Sequence, residues 1–385
     1  MQKNLSMKIN RTSAITYFVM VVLFASIKVL LGFGVLDGIG EIGKELLGAF
    51  IQIGIMLLLS IGVMCITLKQ KPLEVLRYYG FKKISWKGVV LSVLIGIVIY
   101  ILNVFLSSFF NMFLGMLGYT FPEGEGMSAY PVWLLIVNLI FTAVLPAICE
   151  ETAHRGMLLN GLSSARSRSK AIILSSLMFG LLHCNITQFF YATLIGLFLG
   201  YITSVIDNIY PAMIMHFMNN ALSVFMGYSR FHGLGAEYLF TYAETFVANN
   251  AILGFMFIII LCVLLAFLLK LLTKILFKTT ILKQLNGLNN KVLVSMEKFD
   301  YMQDLESIKN YGETFRPNQM QDFARFKSLY YSYGKEFGFT SKIKMVVGEE
   351  QTPVKDKVAT AFYVTSLIIL SALTIFSFVW NVLGV

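Results

Sequence analysis

Charged residues are scarce in this 385-residue chain, and their scarcity excludes the commonest class of protein. Only 14% of the residues are Asp, Glu, Lys or Arg, whereas 57% are hydrophobic. Average soluble domains carry about 25% charged residues, so an ordinary soluble globule is excluded. Proline is also rare, at seven residues, and the 30 glycines lack a three-residue period, which excludes a proline-rich disordered chain and a collagen.

Cysteine is equally uncommon and shows no pattern of its own. The four cysteines, Cys65, Cys149, Cys184 and Cys262, lie inside or beside apolar runs and form no CxxC pair. We therefore expect them to be small buried apolar residues, and neither a disulfide framework nor a cysteine metal cluster is predicted. The class that remains is a membrane protein with several spans.

Long apolar runs are what the chain has in abundance. A spanning helix needs about 20 mostly apolar residues. The stretch 171–206, which has no charged residue, is too long for one span and divides near 183–188 into two. We predict an all-α fold, a polytopic transmembrane helical bundle with about eight core spans and one C-terminal span. The other seven runs are 14–36, 46–68, 89–110, 132–148, 209–226, 251–272 and 359–383.

The distribution of apolar and polar residues predicts three regions. Residues 1–279 form the transmembrane bundle, with a catalytic core at about 130–226. Residues 280–358 are polar and rich in aromatic residues, and they predict a small cytoplasmic domain or a linker that could bind a protein partner. Residues 359–385 form the C-terminal transmembrane helix.

The net charge of +10 is explained by membrane topology. Basic residues are concentrated in the N-terminal stretch and in the loops 69–87 and 163–170, whereas the loops between them are acidic or neutral. Cytoplasmic loops of membrane proteins carry an excess of Lys and Arg. We therefore predict a multi-pass protein of the cell membrane with a cytoplasmic N-terminus, in contact with the lipid bilayer, and no nucleic-acid partner.

The first of three polar clusters in the apolar runs contains two adjacent carboxylates. Ionisable residues inside a membrane are costly and usually face a functional cavity. Helical spacing pairs Glu151 with Arg155 at i,i+4, and it places Glu150 near His154 on a face about 100° away. Glu151 thus has its own cation in Arg155, whereas Glu150 is freer to exchange a proton.

The other two clusters contribute imidazole and amide groups at a similar depth. His183 lies in the uncharged stretch, and His216 shares a helix face with Asn220 and nearly as well with Asn219. Measured from the basic loop 163–170, Glu151 and His183 both lie about 18–20 Å along a helix, at 1.5 Å per residue. We expect the three clusters to meet.

A carboxylate, two imidazoles and an amide together indicate hydrolysis by activated water. Glu150, His183 and His216 are the ligand types of zinc hydrolases, and a carboxylate can also accept the proton of an attacking water. The amide of Asn220 could donate to the oxyanion of a tetrahedral intermediate. There is no GxSxG motif, and no Ser or Cys has an evident base partner. Peptide hydrolysis by water fits this set best.

Three motifs in this order resemble a known family. They are Glu-Glu-x-x-x-Arg at 150–155, Phe-x-x-x-His at 179–183 and His-x-x-x-Asn at 216–220, and they resemble those of the CPBP family of intramembrane metalloproteases. This family includes the type II CAAX prenyl endopeptidases and homologues in bacteriocin processing and self-immunity. The resemblance implies an eight-helix bundle with a conical cavity open to the cytosol, and it does not account for residues 280–385.

The resemblance also implies roles for the matching residues. Glu150 with His183 would activate the water, the histidine and asparagine of the third motif would stabilise the oxyanion, and the Glu151–Arg155 pair would shape the site. It permits a zinc ion on Glu150, His183 and His216 without requiring one. His154 is a further candidate ligand that the motif does not demand.

The predicted function is an intramembrane endopeptidase. Its substrate would be a membrane-associated peptide or a lipidated protein, such as a prenylated protein with a CAAX-type end. Two alternatives stay open at this point. One is a non-catalytic bacteriocin-immunity or scaffold protein, and the other is a transporter in which Glu150, His183 and His216 relay protons.

Overall fold

All regular structure in the described part of the chain is helical. A computed structural model describes residues 2–121, 129–297 and 356–383, and no strand occurs within these ranges. The helices are α1 (Gln2–Gly32), α2 (Gly40–Phe50), α3 (Leu59–Leu68), α4 (Pro72–Tyr78), α5 (Trp86–Met116), α6 (Val132–Asn138), α7 (Leu145–Glu151), α8 (Leu159–Ser163), α9 (Arg168–Leu181), α10 (Ile186–Ile206), α11 (Tyr210–His232), α12 (Tyr238–Asn249), α13 (Ala251–Glu297) and α14 (Lys357–Leu383).

Three π-helical segments join consecutive α-helices without a break. They are Ile51–Leu58 between α2 and α3, Leu139–Val144 between α6 and α7, and Thr152–Leu158 between α7 and α8. A short 3₁₀ turn, Asp37–Ile39, precedes α2. π-helical turns are rare and occur frequently at functional sites, which directs attention to the residues they carry.

The predicted all-α polytopic bundle is confirmed. Among the described residues, seven helices are long and apolar enough to cross a membrane. They are Leu5–Gly32, Gly43–Leu68, Trp86–Met116, Val132–Ser163, Ile186–Ile206, Ile252–Gly287 and Lys357–Leu383.

Two of the nine predicted segments are helical but do not qualify as spans. The helix α9 has 14 residues, which is about 21 Å, whereas the hydrocarbon core of a bilayer is about 30 Å thick. The helix α11 has 23 residues and is long enough, but its His and Asn side chains lower its mean hydropathy. A third difference is that α13 continues to Glu297, well past the predicted end at 272.

The contacts divide the chain into two compact units. One consists of Met1–Ile84, Ser92–Lys270 and Pro353–Val385, and the other of Ser85–Leu91 and Leu271–Thr352. All the residues of the three polar clusters lie in the first unit. In the second unit, the described residues are the start of α5 and the end of α13. Of the predicted polar region 280–358, residues 298–355 lie outside the described part of the chain.

Helix α14 is part of the first unit, where it packs along α1. Arg11 Nε lies 2.9 Å from Asp356 Oδ2, and the hydroxyl of Tyr363 donates to the carbonyl oxygen of Asn10 at 3.3 Å. Farther along α14, the carbonyl oxygen of Asn381 accepts a hydrogen bond from the hydroxyl of Thr120. The last helix is thus tied to the bundle near both of its ends.

Helices α9 and α10 pack closely through two glycines. A Cβ atom on Gly180 would lie 2.0 Å from Thr193 Oγ1 and 2.8 Å from the carbonyl oxygen of Phe189, and one on Gly196 would lie 3.2 Å from Ser176 Cα. Side chains at these two positions would force the helices apart. The close approach brings the backbone of α10 next to α9, whose C-terminal end carries the second motif.

Candidate active site

Glu151 is the centre of the polar interactions and is completely buried. Its Oε1 accepts from Arg155 Nη1 at 2.7 Å and from His216 Nδ1 at 2.9 Å. The i,i+4 pair predicted from spacing is therefore present, across the junction of α7 and the π segment Thr152–Leu158. Arg155, only 2% exposed, also donates through Nη2 to the carbonyl oxygen of Gly196 at 3.3 Å. These contacts join the first motif to α10 and to α11.

Glu150 points to a different set of partners and is partly accessible, since 13% of its side chain is exposed. Its Oε1 accepts from Gln52 Nε2 at 2.8 Å, and its Oε2 lies 3.9 Å from His216 Nε2. His183 is joined to this group through Phe179, whose ring contacts the rings of both His183 and His216. The three groups expected to meet are therefore neighbours.

The hydrogen bonds of the two motif histidines determine which nitrogen is free. His216 Nδ1 faces Glu151, which can only accept while it is ionised, so this nitrogen carries a hydrogen. His183 Nδ1 lies 3.1 Å from the carbonyl oxygen of Phe179, which is also only an acceptor. Both rings are thus left with Nε2 for chemistry, either as an acceptor or, when protonated, as a second donor.

His154 is engaged elsewhere, although spacing places it near Glu150. Its Nδ1 lies 3.0 Å from the backbone carbonyl oxygen of Glu150, and its Nε2 lies 3.4 Å from the hydroxyl of Tyr17. His154 is therefore next to Glu150, as the i,i+4 spacing predicts, but it contacts the backbone of Glu150 and not the carboxylate. Both nitrogens have protein partners, which leaves His154 poorly placed as a ligand or base.

Phe179 packs at the middle of the histidines. Its ring meets those of His154, His183 and His216 edge to face, with centroids 5.0, 5.4 and 5.8 Å apart. The guanidinium carbon of Arg155 lies 4.4 Å from the same ring centroid. Edge-to-face and cation–π contacts of this kind hold rings in defined orientations. Phe179 occurs in the second motif, but its sequence position alone indicated no role.

Asn220 belongs to a network of amides that extends to α5. Its Nδ2 donates to the carbonyl oxygen of Thr142 at 3.0 Å, and its Oδ1 accepts from Asn219 Nδ2 at 3.0 Å. Asn103 Nδ2 in turn donates to Asn219 Oδ1 at 3.3 Å, and Ser107 donates to Asn103 Oδ1 at 3.2 Å. The side chain of Asn220 is therefore held on two sides, and one amide hydrogen remains for a ligand.

Each π-helical segment supplies a residue to this site. Gln52 comes from Ile51–Leu58, Thr142 from Leu139–Val144 and Arg155 from Thr152–Leu158. Sequence analysis identified Arg155 but not Gln52, Asn103 or Thr142. Gln52 had a detectable signal, because it is the one polar residue of an apolar octapeptide, whereas a backbone carbonyl such as that of Thr142 has none.

The described residues do not form a metal site of the predicted kind. No group of three His, Cys, Asp or Glu side chains within them is arranged so that it could hold a metal ion. Two of the predicted ligands, Glu150 and His216, do lie side by side. The arrangement thus does not fit the three-ligand zinc site expected from residue types, and zinc binding stays a prediction.

Comparison with known proteins agrees with the position of the site. Residues 131–222 match the family model described as type II CAAX prenyl endopeptidase, Rce1-like. No curated protein and no solved structure matches the chain. The matched segment contains all six predicted site residues and excludes Gln52 and Asn103. Over residues 131–222 this membrane protein is therefore similar to the Rce1-like type II CAAX prenyl endopeptidases, which supports an intramembrane endopeptidase.

Proposed function

We propose that this chain hydrolyses a peptide bond near the C-terminus of a membrane-associated or lipidated protein. The observation that carries the proposal is that Glu150, His216 and, through Phe179, His183 lie beside the buried Glu151–Arg155 pair. A structural salt bridge alone would not need a second, partly accessible carboxylate or two histidines with free Nε2 atoms. The Rce1-like match supports a prenylated CAAX-type end as the substrate class.

Glu150 acts as the general base of the proposed reaction. Its Oε1 accepts a hydrogen bond from Gln52, which makes that oxygen the weaker base, so Oε2 is assigned to accept the proton of the attacking water. The water oxygen bonds to the scissile carbonyl carbon while His183 Nε2 holds the water in place. The same proton then passes from Glu150 to the leaving amide nitrogen, which breaks the C–N bond and releases an amine and a carboxylic acid.

The oxyanion formed on the carbonyl oxygen requires hydrogen-bond donors. When His216 carries both protons, Nε2–H donates to the oxyanion while Glu151, bonded to Nδ1, balances the positive charge. The second amide hydrogen of Asn220 is the other donor. Arg155 keeps Glu151 in place for this task, because the ion pair orients the carboxylate that in turn orients His216.

Zinc remains a separate prediction that the steps above do not use. The candidate ligands Glu150, His183 and His216 are not arranged as a three-ligand site among the described residues, so no step of the reaction is assigned to a metal. Metal analysis of purified, active protein tests the zinc prediction directly.

We further propose that the N-terminus faces the cytoplasm of a multi-pass membrane protein. Arg166 of the loop 163–170 donates to Asn10 Oδ1 at 3.4 Å, and Gly80, Ser163 and Arg168 line one cavity. These contacts support a common side of the membrane for the N-terminal stretch, the loop 163–170 and the loop 69–87, all of which are basic.

The proposal is tested by cleavage of defined peptides in detergent or liposomes. Purified protein is given farnesylated and unfarnesylated peptides with CAAX-type ends, and the variants E150A, H183A and H216A are compared with the wild type. Loss of cleavage in all three is expected. Cleavage that survives these substitutions would contradict the assignment of the site.

The same variants separate the proposed activity from its alternatives. Protection against a bacteriocin that survives alanine at all three positions would favour an immunity protein or scaffold, and proton-coupled flux without cleavage would favour a transporter. Substrates of the enzyme are identified by trapping on the variant E150Q followed by mass spectrometry.

A further inference from the structure

Gln52 is a polar residue of the site that lies outside the segment matched by the family model. Its Nε2 donates to Glu150 Oε1 at 2.8 Å, across a sequence separation of 98 residues. We propose that Gln52 is a positioning residue that orients the catalytic carboxylate of Glu150 and selects the oxygen that acts as base. This inference rests on the proposed function.

The chemistry of the pair determines how the amide is turned. An ionised carboxylate has only acceptor oxygens, so the amide must present its nitrogen to Glu150 and turn its oxygen away. That oxygen, Gln52 Oε1, is buried and has no hydrogen-bond partner within the described residues. A buried acceptor without a partner is unfavourable, and such atoms in native proteins call for a reason. Here the reason is the hydrogen bond to Glu150, which holds the amide with its nitrogen toward the carboxylate and its oxygen turned away.

The local structure explains why the donor is held firmly. Gln52 is the one polar residue of the π segment Ile51–Leu58, whose buried residues Ile55 and Met56 anchor it in the bundle. This segment packs against α7, which carries Glu150. An apolar side chain would satisfy packing at position 52, and a polar group in an apolar helix is costly unless it has a partner.

The consequence for the reaction is stereochemical. Because the hydrogen bond from Gln52 makes Oε1 of Glu150 the weaker base, Oε2 is left as the base, and it lies 3.9 Å from His216 Nε2. Gln52 therefore acts through Glu150, and its loss should slow the chemical step without weakening substrate binding.

The test measures kcat and KM separately on the farnesylated peptide. The variant Q52L removes the amide, and Q52E keeps its volume but replaces the amide by a second carboxyl group, which shares a proton with Glu150 and so removes the free base. The control Q70L makes the same change at an exposed glutamine outside the site. We expect kcat to fall about 10- to 100-fold in Q52L and Q52E, in line with the cost of misplacing a catalytic group, while KM and the melting temperature stay near those of Q70L.

A double-mutant cycle separates positioning from a general structural effect. In the variant E150D the shorter side chain withdraws its carboxylate from Gln52, so adding Q52L should cost little beyond E150D alone. Additive losses, or wild-type kcat in Q52L and Q52E, would overturn the role of Gln52. If the role of Gln52 is overturned but E150A still abolishes cleavage in the same assay, the proposed function stands.

Failure of the proposed function is recognised by a different outcome. If the wild-type protein cleaves neither peptide, and cells with and without the chain have the same membrane-protein termini by mass spectrometry, the peptidase and the Gln52 assignment both fall. If Q52L does not fold, as shown by loss of its melting transition, the isosteric Q52E decides the outcome by the same kinetic criteria.

Discussion

Replacing Arg155 with methionine would leave the charge of Glu151 buried without its ion-pair partner. Glu151 is fully buried and Arg155 is 2% exposed, so water cannot replace the lost guanidinium. The variant R155M also loses the hydrogen bond to the Gly196 carbonyl and the contact with Phe179. Breaking a buried ion pair from one side costs about 3–5 kcal/mol. We expect a loss of this size in the free energy of unfolding.

The control for this prediction removes both charges. In the double variant E151Q/R155M no charge is left uncompensated, and the glutamine oxygen can still accept from His216, so the loss should be clearly smaller than in R155M. Both are measured by SDS-induced unfolding in mixed micelles, followed by the intrinsic fluorescence of the tryptophans. A loss below about 1 kcal/mol in R155M, a value typical of exposed pairs, would refute the buried pair described above.

Three other substitutions and one metal measurement test the remaining parts of the site. The variant G180A should lower the melting temperature, because its Cβ would lie 2.8 Å from the Phe189 carbonyl oxygen, and G115A, where a Cβ meets nothing within 4 Å, is its control. The variant F179L should lower kcat while the protein still folds, since the histidine rings lose their shared edge-to-face partner. The variant N103A should lower kcat less than N220A, because Asn103 reaches Asn220 only through Asn219; an equal loss would contradict this order. Chelator-treated protein that is metal-free and active would contradict the zinc prediction.

Several features of the fold and site were predictable because they depend on nearby residues. The spans follow from local hydrophobicity, and the all-α bundle follows from them, since a helix satisfies its own backbone hydrogen bonds in lipid. The Glu151–Arg155 pair follows from i,i+4 spacing alone. The order and spacing of the three motifs sufficed for the family resemblance, which the match at 131–222 bears out.

Other features depended on how the helices pack. The contact of Gln52 with Glu150 joins residues 98 positions apart, and that of Asn103 with Asn219 joins residues 116 apart, so no periodicity could indicate them. His154 has the right spacing for the site but turns its Nε2 to Tyr17.

The sequence by itself determined the membrane class, the helices and the residue types of the site, because hydrophobicity and helical spacing act over one or two turns. Only the tertiary structure decided which atoms meet. It brought His216 onto Glu151 and Gln52 onto Glu150, and it turned both motif histidines so that Nδ1 bonds to the protein and Nε2 points to the reaction site. These choices depend on the close approach of helices far apart in the chain, and side-chain orientation is resolved only when their surfaces are packed together.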